Sequence, residues 1–458
     1  MRPLTRSLGI NLIGVGLVAI TGFVSVLMMA RWLETAQFGT LSLLLLMFNS
    51  IAILDGVRPV LVLLGSRSDD FGRLVRTAEV TMTLAGSAVA CLSMIALACA
   101  GWAHVGIAHA ILFSLALGMY FPLSAYWGLL DSQGETAFTG ALRSVAWILV
   151  YIAFAALAWL NAGLTPFVVA MSLMNGGLLA VYRVRLYDRY ARSAGAVDWN
   201  LVRRIRRDAL DNLIFNASAF VMASVDRFAL GLLRGPTELG LYAGVYELTT
   251  KPAAFLRVLA AVLFPEAARM QDTIKLRELL FPVLKSLFFV VTCGVFVSVM
   301  YRSKLVLLVL GEKFVDVADS FGLLCIGFAL LSVGHIVAVP IQAGGDFKRL
   351  GAYYSATACL MVVLIWPAIA LGGSTGAAMT YLASRLVDVA LLLAACRQLK
   401  HPVSFAKASL VSLLFCWVML AAWYGFAAVG ILGLAALAFS IRVPQFALKW
   451  ISAGPLHN

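Results

Sequence analysis

Long apolar stretches without a single charge alternate along this chain with short, mostly basic breaks. Residues 80–130, 144–182, 350–384 and 408–441 contain no Asp, Glu, Lys or Arg. A helix needs about 20 apolar residues to cross a bilayer, so each run suffices for roughly two crossings joined by a tight turn. In hydrocarbon every backbone N–H and C=O must be paired internally, which makes such spans helical. The pattern predicts an all-α integral membrane protein with about fourteen transmembrane helices. They fall near 7–30, 38–62, 78–100, 107–129, 138–160, 165–184, 209–232, 239–264, 281–300, 321–343, 350–371, 375–396, 404–424 and 427–446.

The breaks alternate in charge. One set carries Arg67, Arg73 and Arg76, then the eight arginines between Arg183 and Arg207, then Arg269, Lys275 and Arg277, Lys348 and Arg349, and Arg397, Lys400 and Lys407. The other set is short and nearly neutral: 101–106, 161–164, 372–374 and 424–427. The positive-inside rule puts the first set, and with it both termini, in the cytoplasm. Segment 301–320 breaks the rule, with Arg302, Lys304 and Lys313 on the outer side. It reads as an amphipathic interfacial stretch with Leu305, Val306, Val309 and Leu310 as its apolar side.

Composition agrees. The chain is 62% hydrophobic and 12% charged, against about 25% charged in soluble domains. The formal net charge of +13 could suggest nucleic acid, but the basic residues sit between spans, where topology accounts for them. The seven cysteines lie in apolar stretches without CxxC spacing, and the five histidines show no metal-ligand spacing. There is no P-loop, no H-E-x-x-H and no G-x-S-x-G, so neither an ATPase nor a familiar hydrolase site is present. No metal or cofactor is expected, and the chain is read as a non-enzyme. A membrane-embedded polymerase or ligase would carry a long outer loop with catalytic residues, and no outer segment in this reading exceeds 301–320.

Ionisable residues inside spans are costly and usually face a cavity or a partner. Asp55 and Arg58 share one face of the second span; Asp226 and Arg227 lie in the seventh, toward the outer side. Glu247 and Lys251 are four apart in the eighth, followed by Arg257. Arg385 and Asp388 are three apart near the middle of the twelfth, and Arg143 stands near the cytoplasmic end of the fifth. The pairs can be internal ion pairs that hold helices together. Arg257 has no partner within its own span, and an unpaired cation on a cavity wall would suit a phosphate or pyrophosphate. Gly14, Gly16 and Gly22 on the first span read as small residues for close packing.

The chain also echoes itself. Ala36-Gln-Phe-Gly39 opens the second span and Thr237-Glu-Leu-Gly240 opens the eighth. Six spans separate the copies, so the repeat is parallel, a common transporter plan. The stretch from Asp226-Arg-Phe-Ala-Leu-Gly through Pro236-Thr-Glu-Leu-Gly-Leu-Tyr-Ala-Gly-Val-Tyr-Glu-Leu, followed by Leu263-Phe-Pro-Glu266, resembles the middle of Wzx-type polysaccharide biosynthesis flippases. Ala30-Arg-Trp-Leu33 with Phe38-Gly39 is similar to that family's opening. The family belongs to one superfamily with the multidrug exporters and the lipid II flippase.

The resemblance implies two six-helix bundles in a V, at 1–184 and 209–400, joined by a basic cytoplasmic connector at 185–208. Two extra helices and a cytoplasmic tail would occupy 401–458. It implies a bacterial inner-membrane flippase that carries an undecaprenyl-pyrophosphate-linked oligosaccharide repeat unit to the outer leaflet by alternating access. Arg58, Lys251, Arg257 and Arg143 would be cavity cations for the substrate. Asp55, Asp226, Glu247 and Asp388 would be ion-coupling groups or charge partners, with a proton or sodium gradient as the open source of drive. The expected partners are the lipid-linked substrate, membrane lipids and polysaccharide polymerase machinery. A lipid II-type flippase and an ion-coupled multidrug antiporter are the alternatives.

Overall fold

The computed structural model describes residues 2–54, 61–62, 64–65, 70–99, 107–190, 196–269, 289–343, 347–398 and 423. Among these residues there are helices and turns and no strand. In chain order they are α1 (Arg2–Trp32), α2 (Thr35–Leu54), α3 (Phe71–Cys99), α4 (Ile107–Ser132), α5 (Thr136–Trp159), α6 (Thr165–Tyr190) and α7 (Trp199–Arg269). Then come α8 (Phe289–Met300), α9 (Arg302–Val309), a 3-10 turn (Glu312–Val317), α10 (Ala318–Ala343) and α11 (Phe347–Gln398). Gly235 breaks α7 into 199–234 and 236–269, and Gly373 breaks α11 into 347–372 and 374–398.

Each of the first twelve spans expected from the sequence overlaps one of these helices or halves. The last two lie outside the described residues, apart from helical Trp423. Among the described residues six helices are long and apolar enough to cross a membrane, seven if the bent pair α8–α9 is one span. Side-chain caps start two helices where the polar breaks end. Asp70 accepts the Arg73 N–H at 3.0 Å ahead of α3. Asp198 accepts the Asn200 and Leu201 N–H groups at 2.9 and 3.2 Å ahead of α7. Both satisfy amide donors that a helix N-terminus leaves open.

The chain forms two compact units, Met1–Ser224 and Val225–Asn458. In the first, α1 packs along α5. A Cβ on Gly14 would lie 2.5 Å from Ser144 Oγ, and one on Gly22 would lie 2.9 Å from the Tyr151 ring. Both glycines therefore serve close packing, as their spacing suggests. Gly16 faces open space, with nothing within 4 Å. Helices α3 and α4 cross at Gly86 and Gly118, where a Cβ on Gly86 would overlap the Gly118 carbonyl. Gly86→Ala must push two backbones apart, so a loss of about 1–3 kcal/mol is expected. Gly16→Ala is the control and is expected to be neutral or slightly stabilising. Thermal unfolding of both variants in detergent checks this; equal midpoints would remove the crossing as a constraint.

At the α8–α9 junction the chain turns through 84°. The apolar face read as interfacial turns inward instead: Val306 is 0% and Leu310 1% exposed. The exposed face holds Ser303, Lys304, Leu307 and Leu308. Periodicity locates an apolar stripe, but protein and lipid are equally apolar, so it cannot say which of them the stripe meets. Phe314, fully buried, packs where a Cβ on Gly244 would lie 2.5 Å from its ring. Arg302 donates to Asp319 at 2.7 Å and stacks over Trp423 at 4.5 Å.

Candidate functional site: buried charges in the second unit

The hairpin formed by the two halves of α7 brings distant charges together. It turns at Gly235, whose φ of 84° is a conformation only glycine adopts without strain. Asp226 lies before the turn and Tyr242, Tyr246 and Glu247 after it. The Tyr242 hydroxyl donates to Asp226 Oδ2 at 2.7 Å, and the Arg227 backbone N–H donates to Asp226 Oδ1 at 2.8 Å. The Arg227 guanidinium lies 3.9 Å above the Tyr246 ring and 3.9 Å from both Asp226 Oδ1 and Glu247 Oε1.

The second half of α11 supplies the other side. Tyr381, Arg385 and Asp388 follow at helical spacing, so they share a face. Arg385 stands 4.7 Å from the Tyr381 ring and 3.9 Å from Asp388 Oδ2. Three rings join the two halves: Tyr246 meets Phe328 at 5.2 Å and Tyr381 at 6.1 Å, and Phe328 meets Tyr381 at 5.0 Å. Asp226 is 0%, Asp388 1% and Arg385 3% exposed. Asp388 Oδ1 has no hydrogen-bond partner among the described residues. Buried charges are tolerated when paired and hydrogen-bonded, and each guanidinium here has both a carboxylate within 4 Å and an aromatic face. The network holds its own charges and links α7, α10 and α11.

A second device sits at the hairpin tip. Arg234 donates to the Ile369 carbonyl at 3.1 Å and the Ala370 carbonyl at 2.8 Å, at the end of the first half of α11. Glu238 accepts the Ser374 N–H at 2.7 Å, at the start of the second half. Between them Gly373 has φ 52°, and a Cβ there would overlap the Glu238 carboxylate. A cation thus meets a helix C-terminus and an anion meets a helix N-terminus, both favourable to the helix dipole. The two turns of this unit are stapled to each other.

The first unit has its own buried anion. Glu79 accepts the Tyr126 hydroxyl at 2.7 Å, the Tyr187 hydroxyl, Arg183 Nε at 3.1 Å and Arg76 Nη1 at 3.2 Å. Glu135 binds Arg185 and Arg189 at 3.0 and 2.9 Å. Arginines that the sequence offers as a topological signal therefore also tie α3, α4 and α6 together.

Among the residues singled out from sequence, the structure joins Asp226, Glu247 and Asp388 to arginines. Glu247 meets Arg227 across the hairpin, a partner beyond the Lys251 that its spacing suggests. Arg143 stacks on Trp127 at 3.8 Å. Asp55 and Arg58 lie outside the described residues, and Lys251 and Arg257 lie on the described backbone of α7 with side chains outside the described set. Sequence reasoning missed Tyr242, Tyr246 and Tyr381, and with them Arg234, Glu238 and Glu79. The four-residue spacing of Tyr242 and Tyr246 behind a charged pair was the available signal. No group of three residues able to hold a metal occurs among the described residues.

None of the curated proteins matches this sequence. Solved structures do resemble the fold. The lipid II flippase MurJ in an inward closed conformation superposes with a TM-score of 0.72 at 11% identity, over 93% of this chain and 97% of that one. An inward-facing multidrug resistance MATE family transporter of the MOP superfamily gives 0.64 at 12% identity, over 87% of this chain and 100% of that one. An outward-facing MATE family transporter gives 0.61 at 12%, over 86% and 94%. The chain is thus a multi-span helical membrane protein with a fold shared by flippases and transporters. The sequence pattern of polysaccharide biosynthesis proteins matches residues 28–319, and the chain belongs to that family.

Proposed function

We propose that this protein is a flippase that moves an undecaprenyl-pyrophosphate-linked oligosaccharide repeat unit from the cytoplasmic to the outer leaflet by alternating access. The observation that carries the reading is the family match over residues 28–319, on a fold like that of a lipid II flippase. The protein would sit in the bacterial inner membrane with both termini cytoplasmic, as the basic breaks suggest. A proton or sodium gradient would drive it, and polysaccharide polymerase machinery would take up its product. Arg58, Lys251, Arg257 and Arg143 would meet the pyrophosphate, and Asp55, Asp226, Glu247 and Asp388 would balance or couple charge. A pyrophosphate suits arginine because the guanidinium offers several donors to phosphate oxygens.

The test is repeat-unit export in cells carrying Lys251→Ala or Arg257→Ala, with protein level at the membrane measured alongside. Loss of one hydrogen bond to a charged group is worth roughly 1.5–3 kcal/mol, so export is expected to fall about tenfold or more at normal protein level. Unchanged export in both variants would return these cations to helix packing. The likeness to MurJ also favours a lipid II-type reading. Rescue of cells depleted of their own lipid II flippase would support it, and failure to rescue would leave the oligosaccharide reading in place.

A further inference from the structure

Helix α9 presents a face whose chemistry fits neither the protein interior nor open water. Its inner residues, Val306 and Leu310, are buried against the second unit, and Arg302 ties it to Asp319 at the start of α10. Its outer face carries Leu307, 46% exposed, and Leu308, 71% exposed, on either side of exposed Lys304. At about 100° per residue, Leu307, Lys304 and Leu308 fall in that order within one arc of the helix. The Lys304 ammonium lies 5.9 Å from the ring of half-exposed Tyr301. Because the chain bends by 84° after α8, α9 runs nearly in the membrane plane if α8 follows the membrane normal.

We propose that α9 docks on phospholipid head groups at the outer surface of the membrane. Leu307 and Leu308 enter the upper acyl region, while Lys304 reaches back to lipid phosphate, with Tyr301 beside it at head-group level. A long aliphatic stem lets lysine bury its methylenes between leucines and keep its ammonium among phosphates. Tyrosine favours the same depth, where one end is apolar and the other wet. The charge is complementary at α9 itself, where Lys304 is the exposed cation and Arg302 is held by Asp319; the exposed acids Glu312, Asp316 and Asp319 lie beyond the helix. Apolar insertion plus attraction to anionic head groups is how in-plane helices bind membranes. Held in this way, α9 would fix the depth of the outer end of the second unit.

The experiment uses the whole wild-type protein in vesicles of phosphatidylethanolamine and phosphatidylglycerol. One set contains a trace phospholipid with a photoreactive diazirine in its head group, the other a phospholipid with the diazirine at the end of its acyl chain. After illumination, adducts are mapped by mass spectrometry. The expected result is head-group adducts concentrated on 301–313 and few chain-end adducts there. In Lys304→Glu the head-group adducts should fall roughly fivefold or more, the effect of losing about one surface cation facing anionic lipid. Adducts on 301–313 from the chain-end probe alone would make α8 and α9 a broken span and overturn the proposal. So would the absence of adducts from both probes, which would mean that water or another protein covers the face. Equal labelling of wild type and Lys304→Glu would remove lipid phosphate as the ligand of Lys304.

Discussion

Asp226→Ala is expected to cost about 3–5 kcal/mol of folded-state stability, the range seen when one member of a buried ion pair is removed. Three contacts disappear together. The Tyr242 hydroxyl and the Arg227 backbone N–H lose their acceptor, and the Arg227 guanidinium loses one of two carboxylates at 3.9 Å. Asp226 is fully buried, so no water replaces what it accepts. Asp226→Asn keeps the shape and one acceptor oxygen and should fall between wild type and alanine. Tyr242→Phe removes a single hydrogen bond to a carboxylate and should cost roughly 1.5–3 kcal/mol. Thermal midpoints in detergent, read by size-exclusion profile, rank the series, and membrane levels in cells should follow the same order. A wild-type midpoint for Asp226→Ala would show that the hairpin is held by its rings alone. Normal stability with lost export would instead give Asp226 a role in transport.

How much of this was legible beforehand depends on the range of the interaction. Helix positions follow from uncharged runs, which are local, so the spans up to residue 396 overlap the observed helices. The break between the expected spans 209–232 and 239–264 is equally local, and Gly235 falls inside it. Partner choice is not local. Glu247 lies against Arg227 because the hairpin folds residue 227 back beside residue 247, a contact that spacing along one helix does not reveal. Arg385 and Asp388 could be paired from spacing, but their link through Tyr381, Phe328 and Tyr246 to Arg227 needs three helices in place. Glu79 was hidden for another reason. It borders a long uncharged run and looks like the edge of a polar break, while its ligands come from residues 76, 126, 183 and 187. The stripe of α9 that the sequence assigns to the membrane interface is buried at Val306 and Leu310, because periodicity does not say whether protein or lipid covers an apolar face.

The hairpin-tip staple should behave as one unit. Arg234→Ala exposes the carbonyls of Ile369 and Ala370, and Glu238→Ala leaves the Ser374 N–H without its acceptor. Each contact is charge-assisted and sits on a helix end, but Arg234 is exposed, so each single variant is expected to cost only about 1–2 kcal/mol. Both act on the same break at Gly373. Once either is lost the two turns can part, and the second loss then removes little. A double-mutant cycle on thermal midpoints should therefore fall short of additivity by at least about 0.5 kcal/mol, the signature of groups sharing one structural element. Glu238→Gln retains a side-chain oxygen for Ser374 and should recover part of the loss. Strict additivity would mean that the two contacts hold their turns separately. The result bears on the motif as well. Arg234-Gly-Pro-Thr-Glu-Leu-Gly240 lies within the stretch that resembles the family, and here its Arg, its first Gly and its Glu are accounted for by a turn. If single variants lower stability and export in proportion, the motif reports fold and says nothing of the sugar. If export falls while midpoints hold, the tip of this hairpin takes part in moving the substrate.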